Sequence, residues 1–287
     1  VFVLPRYGAQ VLGGAETSAR EFAERLAGRG HEVLVLTTCA NDYVVWKNVE
    51  PPGATLINGV RVERFPISSD WRLRDYTDRL GRLPSASVDE QYDWVDHLPP
   101  PPALDRRLID AGAVSDLVFF VPYLNATTYY GSALVNDKAV IWPCLHNELF
   151  AHLHPTRAML AAARGVMYNT RSEQTFAHQL GVRNPREVVV GIGIDERTGA
   201  GNRFREAQAL TGPYLIYAGR LDEAKNVQTL IEQFIAYKEL RGGDLKLVLT
   251  GHGSLRDSVA RPDVIFTGVL DNQLLLDAIA GSLALCQ

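Results

Sequence analysis

Cysteine is scarce in this sequence: Cys39, Cys144 and Cys286 are the three in a chain of 287 residues. The number is odd, and each lies in or beside an apolar stretch. That excludes a disulfide framework or a cysteine-based metal cluster and makes them small buried hydrophobes. Long hydrophobic runs are also missing. The longest, Leu117 to Leu124, is broken at Pro122 and falls well short of the roughly 20 residues of a membrane span. There is no surplus of basic charge: 29 Lys plus Arg stand against 33 Asp plus Glu, a net charge of −4. Dedicated nucleic-acid binding is therefore not expected. A targeting segment is absent too, because Val1-Phe2-Val3-Leu4 has no basic region before it and reads as a strand. A soluble, cytoplasmic protein is the expectation. The chain has no initiator Met and ends on the apolar run Leu283 to Cys286, so it is expected to be clipped at both ends.

Hydrophobic residues make up 46% and charged residues 22%, ordinary values for a globular chain, and the length suggests two domains. Strands and helices alternate. Val1–Leu4 and Val33–Thr38 are nearly all-apolar, as strands of a parallel sheet covered on both faces are. Between them Ala19, Phe22, Ala23 and Leu26 recur at helical spacing, and Gly30 stops the helix. Asn58-Gly59 between Thr55–Ile57 and Val60–Phe65 predicts a hairpin. Residues 66–113 read as irregular and polar, and the four prolines Pro99 to Pro102 as extended and non-helical. Within that stretch Trp71 to Leu83 mixes four arginines with apolar residues. A helix packed on the first domain is preferred there to one lying on a membrane surface.

Further strands are expected at Asp116–Val121, Lys138–Trp142, Val166–Asn169 and Glu187–Val190, with helices near 125–134, 156–164 and 172–180. Residues 191–212 hold five glycines and few apolar residues, the composition of a linker. A second alternating unit follows: a strand Tyr214–Ala218, a helix through Val227, Leu230, Ile231, Phe234 and Ile235 that stops at Gly242-Gly243, strands Leu245–Thr250, Val264–Phe266 and Leu283–Cys286, and a helix near 273–280. The organisation is α/β: two Rossmann-like, doubly wound parallel-sheet domains facing a cleft. The first spans residues 1–190; the linker and an incomplete second domain span 191–287.

Chemistry-bearing residues cluster where strands end. Gly13-Gly14-Ala15-Glu16 sits between the first strand and helix, where glycines permit close approach and a helix start attracts anions. Arg220 follows the strand Tyr214–Ala218, and Lys225 stands at the next helix start; a fork and a point charge so placed can converge on a diphosphate. Gly251-His252-Gly253 begins like a dinucleotide fingerprint, but Arg256 stands where the last glycine is needed; Gly191-Ile192-Gly193 fails likewise at Glu196. His146, in Pro143-Cys144-Leu145-His146-Asn147-Glu148, lies just past a parallel strand. His152 and His154 are close in sequence, yet the ligand spacing does not make a metal site.

Taken together these residues resemble the family 4 glycosyltransferases, retaining enzymes of GT-B architecture. The resemblance is carried by the order and spacing of Gly13-Gly14-Ala15-Glu16, Arg29-Gly30-His31-Glu32-Val33, Gly193-Ile194-Asp195, Ala218-Gly219-Arg220-Leu221 with Lys225, and Val264-Ile265-Phe266-Thr267-Gly268-Val269. It implies transfer of a sugar from a nucleotide diphosphate sugar to an acceptor hydroxyl, with retention of configuration and no cofactor beyond the donor itself. By that resemblance Arg220 and Lys225 hold the diphosphate and stabilise the leaving group. Gly13 and Gly14 shape the donor side, His146 serves the reacting sugar, and Val269 and Leu270 border the base. Tyr7 and Glu148 are the candidates on the acceptor side, for a saccharide, a lipid-linked glycan or a natural product.

No Asp-x-Asp pair occurs, so the carboxylates that hold Mn²⁺ or Mg²⁺ in many sugar transferases are missing and metal-independent action is expected. Two departures stand out. Asn226 follows Lys225 where the family has glycine, which is expected to alter the helix start. The family's Glu-x7-Glu segment belongs shortly after Cys286, so a further 80–120 residues, roughly the remainder of a Rossmann-like domain, are expected beyond Gln287. A GT-B-type epimerase or phosphorylase, or a non-catalytic nucleotide-sugar-binding fragment, are the alternatives.

Overall fold

The structure, a computed structural model, describes residues 1–11, 13–42, 46–69, 79–99, 101–123, 125–193, 196–256 and 258–286. The chain divides into two compact units, Val1–Gly193 and Ile194–Gln287.

The apolar strands of the first unit pair as their two-sided hydrophobicity demands. They are β1 (Phe2–Val3), β2 (Leu34–Thr38), β3 (Gly53–Ile57), β4 (Val60–Phe65), β5 (Val118–Phe120), β6 (Ala139–Ile141), β7 (Gly165–Tyr168) and β8 (Glu187–Val189). The sheet order is β3-β4-β2-β1-β5-β6-β7-β8. All neighbours run parallel except β3 and β4, the predicted hairpin, whose Asn58 and Gly59 both take positive φ. Helices α1 (Gly14–Gly28), α2 (Val88–Val95), α3 (Pro102–Val114), α4 (Ala126–Leu134), α5 (His154–Ala162) and α6 (Arg171–Gln179) connect and cover it. Successive strand residues point to opposite faces. Phe2, Leu4, Val35 and Val62 accordingly pack with Ala19 and Ala23 of α1, while Val3, Leu36 and Phe120 pack with Leu104, Leu108 and Ala111 of α3. Both faces are thus buried, as in a doubly wound sheet.

Two expectations are corrected here. Residues 66–113 are not irregular throughout: they hold α2, with a Ser87–Glu90 capping box, and α3. Pro102 does not break α3 but begins it, because the first helical position needs no N–H and suits the fixed proline φ. The predicted segment Trp71 to Leu83 lies outside the described residues over 71–78; its described end turns inward, with Leu83 buried and Leu80 packed against the same cluster.

Among the described residues the second unit has four parallel strands, β9 (Tyr214–Ala218), β10 (Lys246–Thr250), β11 (Val264–Gly268) and β12 (Ala284–Cys286), in the order β11-β10-β9-β12. Leu247 and Leu249 pack with Val227, Ile231 and Phe234 of α8 (Val227–Arg241). Tyr214, Ile216 and Val248 face the other way, onto α7 (Gly201–Ala207) and α9 (Asn272–Ala280).

Helix α7 corrects the linker expectation. Its Phe204 is fully buried, and Asp277 of α9 accepts the Ala200 N–H (2.7 Å) and the Arg203 guanidinium (2.8 Å). Two of the linker's glycines, Gly199 and Gly201, are packing glycines. A Cβ at Gly199 would overlap the Leu276 carbonyl oxygen, and Gly201 and Gly281 lie backbone to backbone. On edge strand β12, Leu285 remains partly exposed, as does Leu283 just before it. No helix among the described residues is long and apolar enough to cross a membrane.

Candidate functional site

In parallel sheets ligands collect beyond the carboxyl ends of the strands, where the strand order reverses. In the first unit that point is β1, flanked by β2 and β5; in the second it is β9, flanked by β10 and β12. Each candidate residue can be located against these two positions.

The turn leaving β1 brings Gly13 to the start of α1. Gly13 is extended, and its carbonyl accepts the Thr17 N–H at 2.9 Å, closing the first helical turn. Glu16 in that turn is buried and paired with Arg6, which donates Nε–H to Oε1 at 3.0 Å and also bonds the Asn41 carbonyl. The helix start therefore already carries an internal anion, held by the arginine of the same turn. A Cβ at Gly13 would run into the Glu16 carboxylate, whereas Gly14 faces open space. Of the two glycines, Gly14 is the one whose missing side chain leaves room for something outside the protein.

Two strands away in the same sheet, β6 ends in a loop that carries His146. In register Val3 pairs Phe120 and Phe120 pairs Ile141, so the ends of β1 and β6 lie level and roughly 10 Å apart across two strand spacings. The loop is heavily braced. Trp142 donates its indole N–H to Asn169 Oδ1 (2.6 Å), and Asn169 Nδ2 reaches Cys144 Sγ (3.5 Å). Cys144 takes a left-handed φ of 54°, unusual for a residue with a side chain. Burial pushes its thiol up to about 12. Glu173 of α6 accepts the Leu145 N–H, and Tyr123, leaving β5, donates its hydroxyl to Glu148 Oε1 (2.7 Å). Burial, then the hydrogen bond to Glu148 and its charge, raise the Tyr123 hydroxyl above its ordinary value. The result is a fixed platform with His146, Asn147 and Glu148 exposed at its top. His152 bonds Asn147 and His154 bonds Tyr92, so the three histidines have separate surroundings.

In the second unit Arg220 leaves β9 at the switch point. It is exposed, with Nε 3.4 Å from Asp222 Oδ2. Lys225 is also exposed and ends a 3₁₀ turn, Glu223–Lys225. The next residue, Asn226, has φ 54° and ψ 23°. Glycine adopts this conformation freely and asparagine tolerates it, so Asn226 makes the left-handed turn itself, contrary to the expected change at the helix start. Gly251-His252-Gly253, which fails as a dinucleotide fingerprint, has another use. Gly251 (φ 138°) and Gly253 (φ 154°) lie so close to the carbonyls of Gly219 and Leu221 that a Cβ on either would overlap them. The Leu221 N–H bonds the His252 carbonyl at 2.8 Å, and the Leu255 N–H bonds Leu221 at 2.9 Å. The Arg220 loop is thus stacked on the β10 loop by backbone contact.

Beyond β11, Val269 is exposed, whereas Leu270 is half-buried and packs against the cluster that holds Phe204, Tyr214 and Ala278. Of the pair expected to border a base, Val269 alone offers an open apolar face. Tyr7 also differs from expectation. Its ring lies in the core with Ala19 and Ala23 at 3% exposure, and its hydroxyl has no hydrogen-bond partner. Buried in that core, it leaves no surface for an acceptor. Gly193 is exposed; Ile194 and Asp195 of the predicted Gly-Ile-Asp step lie outside the described residues. Sequence reasoning missed Arg6, Tyr123, Asn169 and Glu173. Only Glu173 had a signal, the Thr170-x-x-Glu173 spacing of a helix cap.

Comparison with known proteins supplies an independent line. The sequence profile of Glycosyltransferase Family 4 matches residues 12–120. The chain matches no curated protein by sequence. Among solved structures it resembles a sucrose-phosphate synthase from Thermosynechococcus elongatus, with 15% identity and a TM-score of 0.69, covering 99% of this chain and 74% of that one. A trehalose-6-phosphate protein from E. coli bound with UDP-2-fluoro glucose aligns at 14% identity and a TM-score of 0.61, covering 98% and 76%. WaaG, a glycosyltransferase involved in lipopolysaccharide biosynthesis, aligns at 16% and 0.59, covering 99% and 74%. The fold is the GT-B fold of these structures, and residues 12–120 match the Glycosyltransferase Family 4 profile.

Proposed function

We propose that this protein is a retaining, metal-independent glycosyltransferase that moves a sugar from a nucleotide diphosphate sugar to an acceptor hydroxyl. The observation that carries the proposal is Arg220 at the β9 switch point, on a loop that glycine packing makes rigid, with Lys225 five residues on at the start of α8. Two exposed cations on a fixed backbone suit the charge that grows on a departing diphosphate. Such preorganised charge is often the largest catalytic contribution.

In this reading Arg220 forks onto phosphate oxygens and Lys225 supplies a point charge. They neutralise the leaving group, as a metal does in enzymes with an Asp-x-Asp pair. Gly14 leaves room beside α1 for the donor. His146 contacts the transferred sugar, Glu148 faces the acceptor, and Val269 borders the base. Retention follows from the family resemblance. The protein works in the cytoplasm on a saccharide, lipid-linked glycan or natural-product acceptor. The sugar nucleotide in the E. coli relative and the stated activity of WaaG support the class of reaction.

A thermal-shift panel of UDP-, GDP-, ADP- and TDP-sugars tests the donor. A ligand at 100 times its Kd adds about 2.7 kcal/mol to stability. One sugar nucleotide is expected to raise the melting temperature, and a product joined to an acceptor, formed with EDTA present, is expected to follow. That product separates transfer from epimerisation and phosphorolysis. A panel without any shift, or activity lost to EDTA and restored by Mn²⁺ or Mg²⁺, refutes the corresponding part.

A further inference from the structure

His146 is an exposed side chain on a loop, and a loop histidine can assist a reaction only if its backbone is held still. The strongest hold on that loop comes from a residue that touches nothing outside the protein. Glu173, in the first turn of α6, is 7% exposed. Its Oε1 accepts the N–H of Leu145, the residue before His146, at 2.6 Å; its Oε2 accepts the N–H of Asn169, the residue after β7, also at 2.6 Å. One buried carboxylate thereby ties the tips of two neighbouring strands together. Asn169 extends the tie through its side chain to Trp142 and Cys144.

We infer that Glu173 is a positioning residue for His146, a reading that rests on the transferase function proposed above. Capping α6 does not by itself call for this arrangement. The cap is Thr170, whose hydroxyl accepts the Glu173 backbone N–H at 3.0 Å. The carboxylate reaches across to another loop. Burying a carboxylate is costly unless it is hydrogen-bonded, and burial does push this group above its ordinary value against the opposing N–H bonds. A carboxylate is the side chain that offers two acceptor oxygens and no donor, and two converging N–H groups are what it meets. Leu145 follows the left-handed Cys144, so the chain at this point departs from the strand direction and needs an anchor. Fixed there, the backbone of His146 has one course, and its imidazole is presented at one place.

The test uses the full chain and measures release of nucleoside diphosphate from UDP-, GDP-, ADP- and TDP-glucose. Glu173→Gln keeps the shape but sets an NH₂ group against one of the two N–H donors. It is expected to lower kcat about 10- to 100-fold, the scale of a misplaced catalytic group, with the donor KM changed less than about threefold. The amide of Leu145 should exchange with solvent about tenfold faster, the effect of losing one hydrogen bond. In a His146→Ala background Glu173→Gln should remove little further activity, because both changes act through the same side chain.

A wild-type kcat in Glu173→Gln, a loss that adds in full to that of His146→Ala, or unchanged Leu145 exchange overturns the inference. If His146→Ala is impaired and Glu173→Gln is not, the positioning role alone is wrong. If His146→Ala turns over as wild type, the role of His146 is wrong and the inference falls with it. Should Glu173→Gln fail to fold, Glu173→Asp keeps the charge on a shorter arm. It is expected to show the same kcat-selective loss, and a wild-type kcat in it is equally decisive against the inference.

Discussion

Arg220 is the residue on which the diphosphate assignment can be weighed most directly. In the structure its guanidinium is not idle: it lies 3.4 Å from Asp222, with the arginine side chain 59% exposed. An ion pair in such contact with water is worth about 0–1 kcal/mol. A charge-assisted bond to a phosphate oxygen is worth about 1.5–3 kcal/mol. A diphosphate that takes Arg220 from Asp222 gains the difference. Arg220→Ala is therefore expected to weaken nucleoside diphosphate binding by about 0.5–3 kcal/mol, or roughly 2- to 150-fold.

The same reasoning gives Asp222→Ala the opposite sign. Freed of its partner, Arg220 should bind the diphosphate up to about fivefold more tightly, the most that an exposed pair can return. In the Arg220→Ala background Asp222→Ala should do nothing. Titration calorimetry on wild type, both single variants and the double variant completes the cycle, at low salt and at about 0.15 M, where the exposed charges are screened. Arg220→Ala binding within twofold of wild type refutes the diphosphate role. An Asp222→Ala effect that survives without Arg220 refutes the competition.

Three further outcomes follow from the fold. Phe204→Ala should destabilise the second unit by about 3–5 kcal/mol in urea unfolding, the cost of emptying a fully buried aromatic site; a loss below about 1 kcal/mol means that α7 is not integral to that core. At left-handed position 226, Asn226→Gly should leave stability within about 0.5 kcal/mol, whereas Asn226→Val should cost about 1–2 kcal/mol, as read from thermal unfolding. Burial pushes Glu63 up, but hydrogen bonds from Arg107 and Arg61 outweigh it and hold the carboxyl below its ordinary value. The folded state therefore gains stability from Glu63 above the unfolded pKa of about 4.3. That gain disappears as the pH falls through the lower folded value. Glu63→Gln should flatten the acid side of a stability–pH curve, and an unchanged slope counts against the pairing.

The parts of the fold legible in the sequence are those where one physical demand dominates. Tyr214–Ala218 appears as a strand with the same ends in sequence and structure, because a parallel strand covered on both sides must be apolar at every position. The hairpin at Asn58-Gly59 was readable for a comparable reason, since few residues take positive φ. Helix α3 was hidden by its prolines, although Leu104, Leu108 and Ala111 do recur at helical spacing. Helix α7 was hidden by glycines, whose reason is the close approach of another backbone, and nothing in local composition distinguishes that from a flexible joint. The candidate residues Arg220, Lys225 and His146 were visible because they follow strands. Tyr7 looked equally well placed, but which side of its backbone meets the core is decided by α1. Glu173 was masked by its own grammar: a glutamate three residues after a threonine reads as a helix cap, and its reach to another loop exists only once β6 and β7 are neighbours.

The strand tips of the second unit have a consequence of their own. The Gly219 N–H bonds the Thr250 carbonyl, the Gly251 N–H bonds the Gly268 carbonyl, and the Thr250 hydroxyl bonds Gly268 as well. The tips of β9, β10 and β11 are therefore links of one chain of main-chain bonds, with Arg220 at one end and Val269 at the other. Under the proposed function, redesigning the nucleotide preference at Val269 is then not a local operation. Any change that moves Gly268 shifts Gly251, and through it the carbonyl of Gly219 against which it rests, so in that proposal selectivity for the base and grip on the phosphates are inherited together.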